Sequence, residues 1–239
     1  MLNKTITITL AFTGASGLPY GLRLLECLLA AECRVWLLYS QAAQVVAQQE
    51  MQLQLPTRAA DLQARWRDEF ACGDRLSVFG REAWFAPPAS GSNPADAMVI
   101  CPCSMGTLAA IAHGTSDNLI ERAADVMLKE QRKLIIVPRE TPLSAIHLKN
   151  MLTLAELGVV ILPPSPGFYT HPQTVADMVD FVVARILDQL QIPHTLVPRW
   201  GEGSRRRSGL DAAAVTPPAP RLAAAGVGLL CHLPWRGAP

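Results

Sequence analysis

Short apolar runs alternate with amphipathic segments along most of this chain. Runs rich in β-branched and other apolar residues predict buried strands at residues 6–12, 35–39, 98–101, 134–137 and 159–162, with residues 83–85 as a weaker candidate. Segments with helical spacing lie between most of them, at residues 17–31, 41–50, 119–130, 144–156 and 174–190. Strand alternating with helix predicts an α/β fold, in which helices cover a parallel sheet on both faces.

The predicted strands are continuously apolar, which is typical of strands that are buried on both faces. Parallel strands bring their carboxyl ends to the same edge of a sheet. Ligands of such sheets bind at this edge, in the crevice where the strand order reverses. Functional side chains are therefore expected directly after each apolar run.

The composition limits the classes of protein to which this chain can belong. A length of 239 residues with 50% hydrophobic content favours one domain with a large core. The formal net charge is +1, so no global field favours nucleic acid or an anionic membrane. The first residues lack the apolar block and cleavage site of a signal peptide, and the apolar stretch at residues 222–233 is too short to cross a bilayer. These features predict a cytoplasmic protein with no membrane span and no nucleic-acid partner.

Cysteine spacing and the end of the chain add two further predictions. The six cysteines lack the paired CxxC spacing of a zinc site and are predicted to be thiols of a reducing compartment. After residue 195 the chain is rich in Gly, Pro, Ala and Arg without a helical or strand period, so residues 204–239 are predicted to form a poorly ordered tail. The three arginines at residues 205–207 could contact RNA or lipid, although such charges are more often only solvated.

The first predicted strand is followed by the sequence TGASGLPYG, residues 13–21. Its glycines permit a close approach of the backbone to a ligand, and the next helix directs its free N–H groups and positive dipole end at the loop. The loop predicts a phosphate site, with a tight strand-to-helix turn as the alternative. The fingerprint GxGxxG is absent, and the second strand ends in Leu38-Tyr39-Ser40 without the acidic residue that binds an NAD ribose. A mononucleotide therefore fits better than NAD.

The strand at residues 98–101 leads into the sequence CPCSMGTLAAIAHGTSDNL. Ser104 and Thr107 flank Gly106 at the start of a helix, where hydroxyl and N–H groups can bind a ring edge or a ribityl chain of the same ligand. The pair Cys101 and Cys103 has no further metal-ligand cluster nearby. We interpret both as buried structural cysteines.

Basic residues on the next helix form another group of candidates. Arg122 and Lys129 are seven residues apart, which is two helical turns, so they project from the same face. Their ordinary interpretation is a solvated helix face, with Glu121 and Glu130 as partners. A functional interpretation is favoured by charged and aromatic residues in neighbouring segments.

The strand at residues 134–137 is followed by the sequence PRETP, which places Arg139 and Glu140 at the carboxyl edge of the sheet. Only 17% of the residues are charged, so an adjacent pair of opposite charges at this edge favours a function. The alternative is that Glu140 caps a helix that begins near Thr141, where a carboxylate would favour the positive end of the dipole.

Four segments of the chain closely resemble the UbiX-type flavin prenyltransferases, formerly described as aromatic acid decarboxylases. They are GASGLPYG, CPCSMGTLAAIAHGTSDNLIERAADVMLKE, KLIIVPRETPLSAIHLKNM and ILPPSPGFYTHPQTVADMVDFVVARILDQL. The resemblance covers roughly residues 5–200. It implies a Rossmann-like, three-layer α/β/α flavoprotein fold with a mainly parallel sheet, and one flavin-binding prenyltransferase domain at residues 1–203.

The resemblance also implies the reaction and its partners. Family members transfer a dimethylallyl group from dimethylallyl monophosphate to reduced FMN, at N5 and then at C6, without a metal. The product is prenylated FMN, which UbiD-type decarboxylases use, and the family is associated with ubiquinone biosynthesis. The resemblance further implies a homododecamer with active sites shared between subunits, and the low charge content leaves apolar surface for such contacts.

Motif matching implies a role for each candidate residue. Those implied to contact FMN are Gly14, Ala15, Ser16, Ser40, Ser104, Met105, Gly106, Thr107 and Arg139. Those implied to contact the prenyl phosphate are Arg122, Lys129, Tyr169 and Arg185. Those implied to act in catalysis are Glu50, which faces the flavin, Trp84, which lies next to the prenyl group, Lys129 and Glu140. None is implied to bind a metal.

The implied chemistry explains why the site would need basic residues. Cleavage of an allylic C–O bond leaves a phosphate with added negative charge and an allylic cation, so it needs fixed positive groups and an aromatic surface. Glu140 can protonate the departing phosphate, on which Arg139, Lys129 and Arg185 are expected to converge. Two other functions remain open, an FMN-dependent decarboxylase of related fold and a non-catalytic flavin-binding subunit of a decarboxylase. Neither explains the basic residues well.

Overall fold

Six parallel strands form the centre of the structure, a computed structural model in which residues 5–199 are described. Within this range the strands have the order β3-β2-β1-β4-β5-β6, and every neighbouring pair is parallel. The order reverses between β1 and β4, so the crevice expected of such a sheet lies at their carboxyl ends. The strands are β1 Thr7–Phe12, β2 Arg34–Tyr39, β3 Leu76–Phe79, β4 Ala97–Cys103, β5 Lys133–Pro138 and β6 Val160–Ile161. The tail predicted at residues 204–239 lies outside the described residues.

Helices cover both faces of this sheet. One core cluster joins the sheet to α1, α2, α3 and α7, and a second joins its opposite face to α4, α5 and α6. Successive residues of β1 alternate between the clusters, since Leu10 belongs to the first and Ala11 to the second. The predicted three-layer α/β/α architecture is therefore confirmed. The helices described within residues 5–199 are α1 Leu18–Ala30, α2 Gln41–Met51, α3 Ala59–Glu69, α4 Met105–Ala112, α5 Leu119–Lys129, α6 Ala145–Glu156 and α7 Val175–Leu190.

The central strands are buried on both sides, as their continuous apolar sequences predict. All residues of β4 are buried, whereas β3, at the edge of the sheet, alternates between buried and partly exposed positions. The prediction of a strand at residues 83–85 is wrong. Those residues lie in a turn in which Trp84 and Phe85 are exposed, and the strand is Leu76–Phe79 instead. Two adjacent aromatic residues resemble a buried strand in sequence, although here they face outward.

Helix ends follow the predictions closely, and one helix is not predicted. The five helices predicted from residue spacing are present, with ends that differ by at most one residue, and α4 begins beside Ser104, where the sequence predicts the start of a helix. Helix α3 buries only Leu62 and Trp66 among mostly polar positions, so its apolar stripe is too narrow to stand out in the sequence. No helix within residues 5–199 is long and apolar enough to cross a membrane.

Helix α1 comes very close to β4 at one glycine. A Cβ atom added at Gly21 would lie 2.3 Å from the carbonyl oxygen of Cys101 and 2.7 Å from the nearest ring atom of Phe12. The carbonyl belongs to a buried strand and cannot move aside easily. This close contact depends on glycine and sets the position of α1, whose N-terminus faces the crevice.

We expect Gly21→Ala to destabilise the protein by about 1–3 kcal/mol, the usual cost of overpacking a core. Within an exposed helix, alanine stabilises the helix by about 1 kcal/mol relative to glycine. A loss of stability in Gly21→Ala would therefore result from the steric clash and not from helix propensity. The measurement is the midpoint of urea unfolding. The control is Gly80→Ala, because an added Cβ atom there meets no heavy atom within 4 Å. A Gly21→Ala midpoint at or above that of the wild type would contradict the close contact.

Candidate active site

The loops that follow β1 and β4 lie side by side at the carboxyl edge of the sheet. The two strands pair in register from Ile8 with Ala97 to Ala11 with Ile100, so their loops leave the sheet together. These loops contain the backbone and hydroxyl groups that the sequence predicts to bind a ligand. The reversal of strand order makes the space between them the expected crevice.

A buried threonine joins the two loops. The hydroxyl of Thr13 donates to the carbonyl oxygen of Pro102 at 2.9 Å and accepts the N–H of Ser104 at 2.8 Å. The N–H of Thr13 also donates to Pro102, at 3.2 Å. Thr13 is 1% exposed, so these hydrogen bonds lie in a dry environment, where breaking them leaves unsatisfied polar groups. The separation of the two loops is therefore fixed by the chain itself.

The first loop is pressed against the start of α2. A Cβ atom added at Gly14 would lie 2.4 Å from the Cβ atom of Ala42, so the contact requires glycine. Ala15 is buried and Ser16 is half-buried. Ser40 follows β2 and is the N-cap of α2, where its side chain accepts a hydrogen bond from an N–H group of the first turn at 3.1 Å. The candidates on the β1 and β2 loops are therefore neighbours.

The N-terminus of α1 binds an anionic group of the same chain. Gly17 has a φ of 108°, and its N–H group donates to both carboxylate oxygens of Glu50, at 3.1 and 3.0 Å. The N–H group of Leu18 donates to the same carboxylate at 3.2 Å. Free N–H groups and the helix dipole favour a negative charge here. The contact supports the prediction of an anion-binding loop and places Glu50, from the last turn of α2, beside the crevice.

Ser104 organises the second loop. It is the N-cap of α4, and its hydroxyl accepts the N–H of Thr107 at 3.3 Å and donates to the hydroxyl of Thr107 at 3.1 Å. Met105 is buried and Gly106 is exposed. Between the linked hydroxyl groups of Ser104 and Thr107, the backbone at Gly106 is accessible and has no side chain over it. Such a loop can donate and accept hydrogen bonds with a polar ligand.

Cys101 and Cys103 lie in the interior beneath this loop. Both are fully buried, and burial raises the pKa of each thiol far above its ordinary value. The interpretation of both as buried cysteines is confirmed. Across residues 5–199, no three His, Cys, Asp or Glu side chains are grouped so that they could hold a metal ion.

Arg139 and Glu140 follow β5 at the same edge of the sheet. The N–H group of Arg139 donates to the carbonyl oxygen of Cys103 at 3.2 Å, which aligns this loop with the end of β4. Both side chains are exposed in the single chain. The alternative that Glu140 caps the next helix is wrong, because α6 begins at Ala145 and its N-cap is Ser144.

A cavity of about 270 Å³ adjoins the crevice on the side of β2 and β3. Its walls are the ends of those strands, the residues that follow them and the start of α5. Ser40 lies in its lining, and Arg81 is its charged member. Space for a ligand therefore extends from the first loop towards α5.

Three predicted residues lie along α5 and the segment beside it, and we call Trp84, Arg122 and Lys129 the α5 group. Arg122 Nε donates to the carbonyl oxygen of Ala89 at 3.1 Å, and Arg122 Nη1 pairs with Asp125 at 2.8 Å. The short turn Pro87–Ala89 packs against α5. Trp84, just before this turn, is 45% exposed. Arg122 is thus held against the Pro87–Ala89 turn, and Trp84 lies on the segment that leads into that turn.

Lys129 lies at the end of α5, over Gly91. Its Nζ atom is 2.5 Å from Glu130 Oε1, and a Cβ atom added at Gly91 would lie 2.6 Å from that Nζ atom. The hydrogen bond and charge of Lys129 lower the pKa of the Glu130 carboxyl. Of the two acidic partners predicted for the basic residues of this helix, Glu130 is confirmed. Glu121 is not, because it is buried and accepts the N–H of Asp117 at 2.8 Å.

Two other predicted residues lie on α7 or in contact with it, and we call them the α7 group. Arg185 belongs to the helix, and Tyr169 lies in the short turn Phe168–Thr170 that precedes it. The ring of Tyr169 packs edge-on against Phe181, with ring centroids 5.6 Å apart. Arg185 follows Phe181 by about one helical turn and pairs with Asp188 at 2.7 Å. A Cβ atom added at Gly167 would lie 2.8 Å from the tyrosine ring, so glycine allows Tyr169 to reach this helix.

The crevice, the α5 group and the α7 group do not meet within the described part of one chain. Helices α5 and α7 cover opposite faces of the sheet. Helix α5 begins at the carboxyl edge, where Leu119 N donates to the carbonyl oxygen of Arg81, and its eleven residues extend about 16 Å. Lys129 is therefore near the start of β5, and Arg139 follows its end. Convergence of Arg139, Lys129 and Arg185 on one phosphate, which is expected in sites shared between subunits, therefore needs more than one chain and stays a prediction.

Two residues that build these sites are not predicted from the sequence. Thr13 is the first residue after β1, where a functional side chain is expected, and this position was its only signal. Gly91 has no comparable signal, because its contact with Lys129 joins segments that are distant in the chain. Sequence periodicity also shows which residues share a helix face, but not which face of the sheet that helix covers.

Known proteins resemble this chain along most of its length. The flavoprotein family matches residues 2–187. A curated relative from Pseudomonas aeruginosa, named Flavin prenyltransferase UbiX, is 58% identical over 197 residues, which cover 82% of this chain and 94% of that protein. The protein of the same name from Halalkalibacterium halodurans is 50% identical over 196 residues, which cover 81% of this chain and 93% of that protein.

Solved structures show the same fold. A dodecameric FMN-dependent UbiX-like decarboxylase from Escherichia coli O157:H7 aligns with a TM-score of 0.72 at 41% identity, covering 82% of this chain and 99% of that chain. AnUbiX (PadA1), in complex with FMN and dimethylallyl pyrophosphate, aligns with a TM-score of 0.74 at 39% identity, covering 82% of this chain and 98% of that chain. The family match spans the crevice loops, α5 and most of α7, and the chain belongs to the flavoprotein family and, within it, to the UbiX flavin prenyltransferases.

Proposed function

We propose that this chain transfers a dimethylallyl group from dimethylallyl monophosphate to reduced FMN, at N5 and then at C6. The observation that carries the proposal is the crevice in which Thr13 fixes two ligand-binding loops at the switch point of the sheet. Relatives that are 58% and 50% identical bear the name of this activity. The structure of AnUbiX contains FMN and dimethylallyl pyrophosphate, which supports FMN and a dimethylallyl donor that carries phosphate. The product, prenylated FMN, serves a UbiD-type decarboxylase in this proposal, with ubiquinone biosynthesis as the associated pathway.

The crevice fits a flavin mononucleotide. Its loops combine a glycine that admits no Cβ atom, linked serine and threonine hydroxyls, and helix N–H groups that already bind a carboxylate. When bound, reduced FMN supplies the nucleophilic positions of the reaction. Glu50, at the end of α2 and bound by the N-terminus of α1, is proposed to face the flavin. The residues proposed to hold FMN are Gly14, Ala15, Ser16, Ser40, Ser104, Met105, Gly106, Thr107 and Arg139.

The α5 and α7 groups are proposed to bind the prenyl phosphate. Cleavage of the C–O bond increases the negative charge on the phosphate, and cationic groups fixed in advance stabilise that charge without reorganising. Arg122 is fixed by Ala89 and Asp125, and Arg185 by Asp188. Trp84 offers an aromatic face to the allylic cation. Lys129 and Tyr169 complete the set.

Glu140 is proposed to protonate the departing phosphate. It lies next to Arg139 at the carboxyl edge, and it is not needed as a helix cap. Glu140 can give its proton to the phosphate oxygen as the C–O bond breaks.

Neighbouring subunits are proposed to complete each site. The crevice opens at the carboxyl edge, whereas the α5 and α7 groups lie on opposite faces of the sheet. In a complete site, the crevice of one copy would therefore face the α5 or α7 group of a neighbouring copy. An E. coli relative is dodecameric, which supports a homododecamer here. Helix α6 exposes Ile146, Leu148 and Leu152, and this apolar surface suits contacts between subunits.

A cytoplasmic location is proposed on the basis of the cysteines. All five cysteines within residues 5–199 are free thiols, which suits a reducing compartment.

A second candidate function, FMN-dependent decarboxylation, is favoured by the name of the E. coli relative. A decarboxylase would return its flavin with unchanged mass, so the mass of the flavin separates the two functions.

The protein, incubated anaerobically with reduced FMN and dimethylallyl monophosphate, is expected to yield a flavin heavier by one dimethylallyl group, detected by mass spectrometry. Lys129→Ala and Arg185→Ala should retain yellow flavin and lower turnover by about a hundredfold or more, because each removes a charge that stabilises the phosphate. Ser16→Ala and Arg139→Ala should instead lose flavin, measured by its absorbance. An unchanged flavin mass with the wild type excludes the transferase. Loss of flavin in all four variants alike would contradict the division of roles.

Glu140→Gln is expected to bind both ligands while C–O cleavage slows by roughly a hundredfold to ten-thousandfold, because glutamine keeps the shape of the side chain but cannot transfer a proton. The measurement is the rate of flavin prenylation in a single turnover. Thr141→Ala is the matched control in the same loop, since its side chain has no proposed role. A rate constant equal to that of the wild type in Glu140→Gln would exclude a proton transfer from this residue.

A further inference from the structure

Arg185 begins a chain of three polar side chains whose last two members have no role so far. Arg185 Nη1 donates to Asp188 Oδ2 at 2.7 Å, and His194 Nε2 lies 3.1 Å from Asp188 Oδ1. One carboxylate oxygen therefore binds the arginine and the other binds the histidine. This connection extends from the surface of α7 to the segment that follows it.

The segment after α7 folds back so that His194 reaches Asp188. Gln191 adopts a left-handed conformation with a φ of 59°, and its N–H group donates to the carbonyl oxygen of Asp188, which ends the helix. Ile192, 4% exposed, anchors the segment in the core. The side chain of His194 is 11% exposed, so its position is fixed by packing.

The hydrogen bonds of His194 set its tautomer. The N–H group of Leu196 donates to Nδ1 at 3.4 Å, so Nδ1 is an acceptor and Nε2 carries the proton that is donated to Asp188. Asp188 therefore accepts from His194 at one carboxylate oxygen and from Arg185 at the other.

We propose that Asp188 and His194 are positioning residues for Arg185 and hold its guanidinium in the orientation that binds the phosphate of the prenyl donor. This inference rests on the proposed function, in which Arg185 binds that phosphate. A long side chain that is held beforehand loses less conformational freedom when the phosphate binds. The contact with Asp188 uses Nη1, so the Nε and Nη2 groups remain for a bidentate contact with phosphate oxygens.

Arg122 provides an internal comparison. Its Nη1 pairs at 2.8 Å with Asp125, which is also three residues later, and its Nε donates to the carbonyl oxygen of Ala89. Both arginines that are proposed to bind phosphate are therefore anchored by an aspartate one helical turn along. The second contact differs between the two arginines. The carbonyl oxygen of Ala89 accepts directly from Arg122, whereas His194 contacts Asp188 and not Arg185 itself.

A plain counter-ion would act in the opposite direction. An aspartate that only neutralises Arg185 weakens the attraction of the guanidinium for phosphate, so its removal would tighten binding. Removal of a positioning residue weakens binding. The sign of the change in phosphate affinity therefore separates the two roles.

The test is the Kd of dimethylallyl monophosphate for protein loaded with oxidised FMN, measured by calorimetry in the absence of turnover. Asp188→Ala and His194→Phe are expected to raise this Kd about tenfold, as for the weakening of one charge-assisted contact. His194→Gln should restore an affinity close to that of the wild type, because its amide N–H can replace Nε2–H. In the Arg185→Ala background, Asp188→Ala should change the Kd by less than about twofold, since no guanidinium remains to be positioned.

An unchanged or lower Kd in Asp188→Ala would overturn the proposal. An equal loss of affinity in the Arg185→Ala background would also overturn it, because it would show a general change in α7. Prenylation of reduced FMN by the wild type is measured separately. A wild type that shows the expected pattern of Kd values and yet forms no prenylated flavin would contradict the proposed function while supporting the positioning role.

Discussion

The span of α5 between the two edges of the sheet is the constraint on which the arrangement of the charged groups depends. Asn118 caps this helix at the carboxyl edge, and its eleven residues extend about 16 Å to Lys129 near the opposite edge. Arg139 and Glu140 leave β5 at the carboxyl edge. One chain therefore presents a nucleotide crevice and a basic surface in different places. In the proposed function, a second copy of the chain brings them together.

Short polar contacts fix each of these places in advance. Thr13 holds the two crevice loops together. Arg122 and Arg185 are each anchored by an aspartate three residues further along the same helix, Asp125 and Asp188 respectively. Glycine allows the closest approaches, for example at Gly14 beside α2 and at Gly91 beneath Lys129. This rigidity suits a reaction in which the protein stabilises charge as it develops on a phosphate, because groups that are already in position need not reorganise.

Local patterns in the sequence were sufficient to predict five of the six strands described, and with them a parallel sheet that binds ligands at its carboxyl edge. A strand that is buried on both faces, such as β4, has a continuous apolar sequence, and parallel strands must share a carboxyl edge. The edge strand β3 alternates between buried and partly exposed residues, so it lacks a continuous apolar sequence. The exposed pair Trp84 and Phe85 was instead wrongly predicted to lie in a strand. The resemblance to a family then implied residues for the site, such as Arg139 and Lys129. It could not show that they lie at different edges of one chain, because no local pattern encodes that distance.

The subunit-mixing experiment tests the shared site most directly. Arg139→Ala and Lys129→Ala, each inactive alone, are co-expressed so that both enter the same oligomer, and mass spectrometry verifies the mixture. If the crevice and α5 of each site come from different subunits, random mixing should restore about a quarter of the wild-type prenylation activity. Lys129→Ala mixed with Arg122→Ala should remain inactive, since both residues lie on one α5. No recovery in verified mixtures of Arg139→Ala and Lys129→Ala would contradict a site shared between subunits.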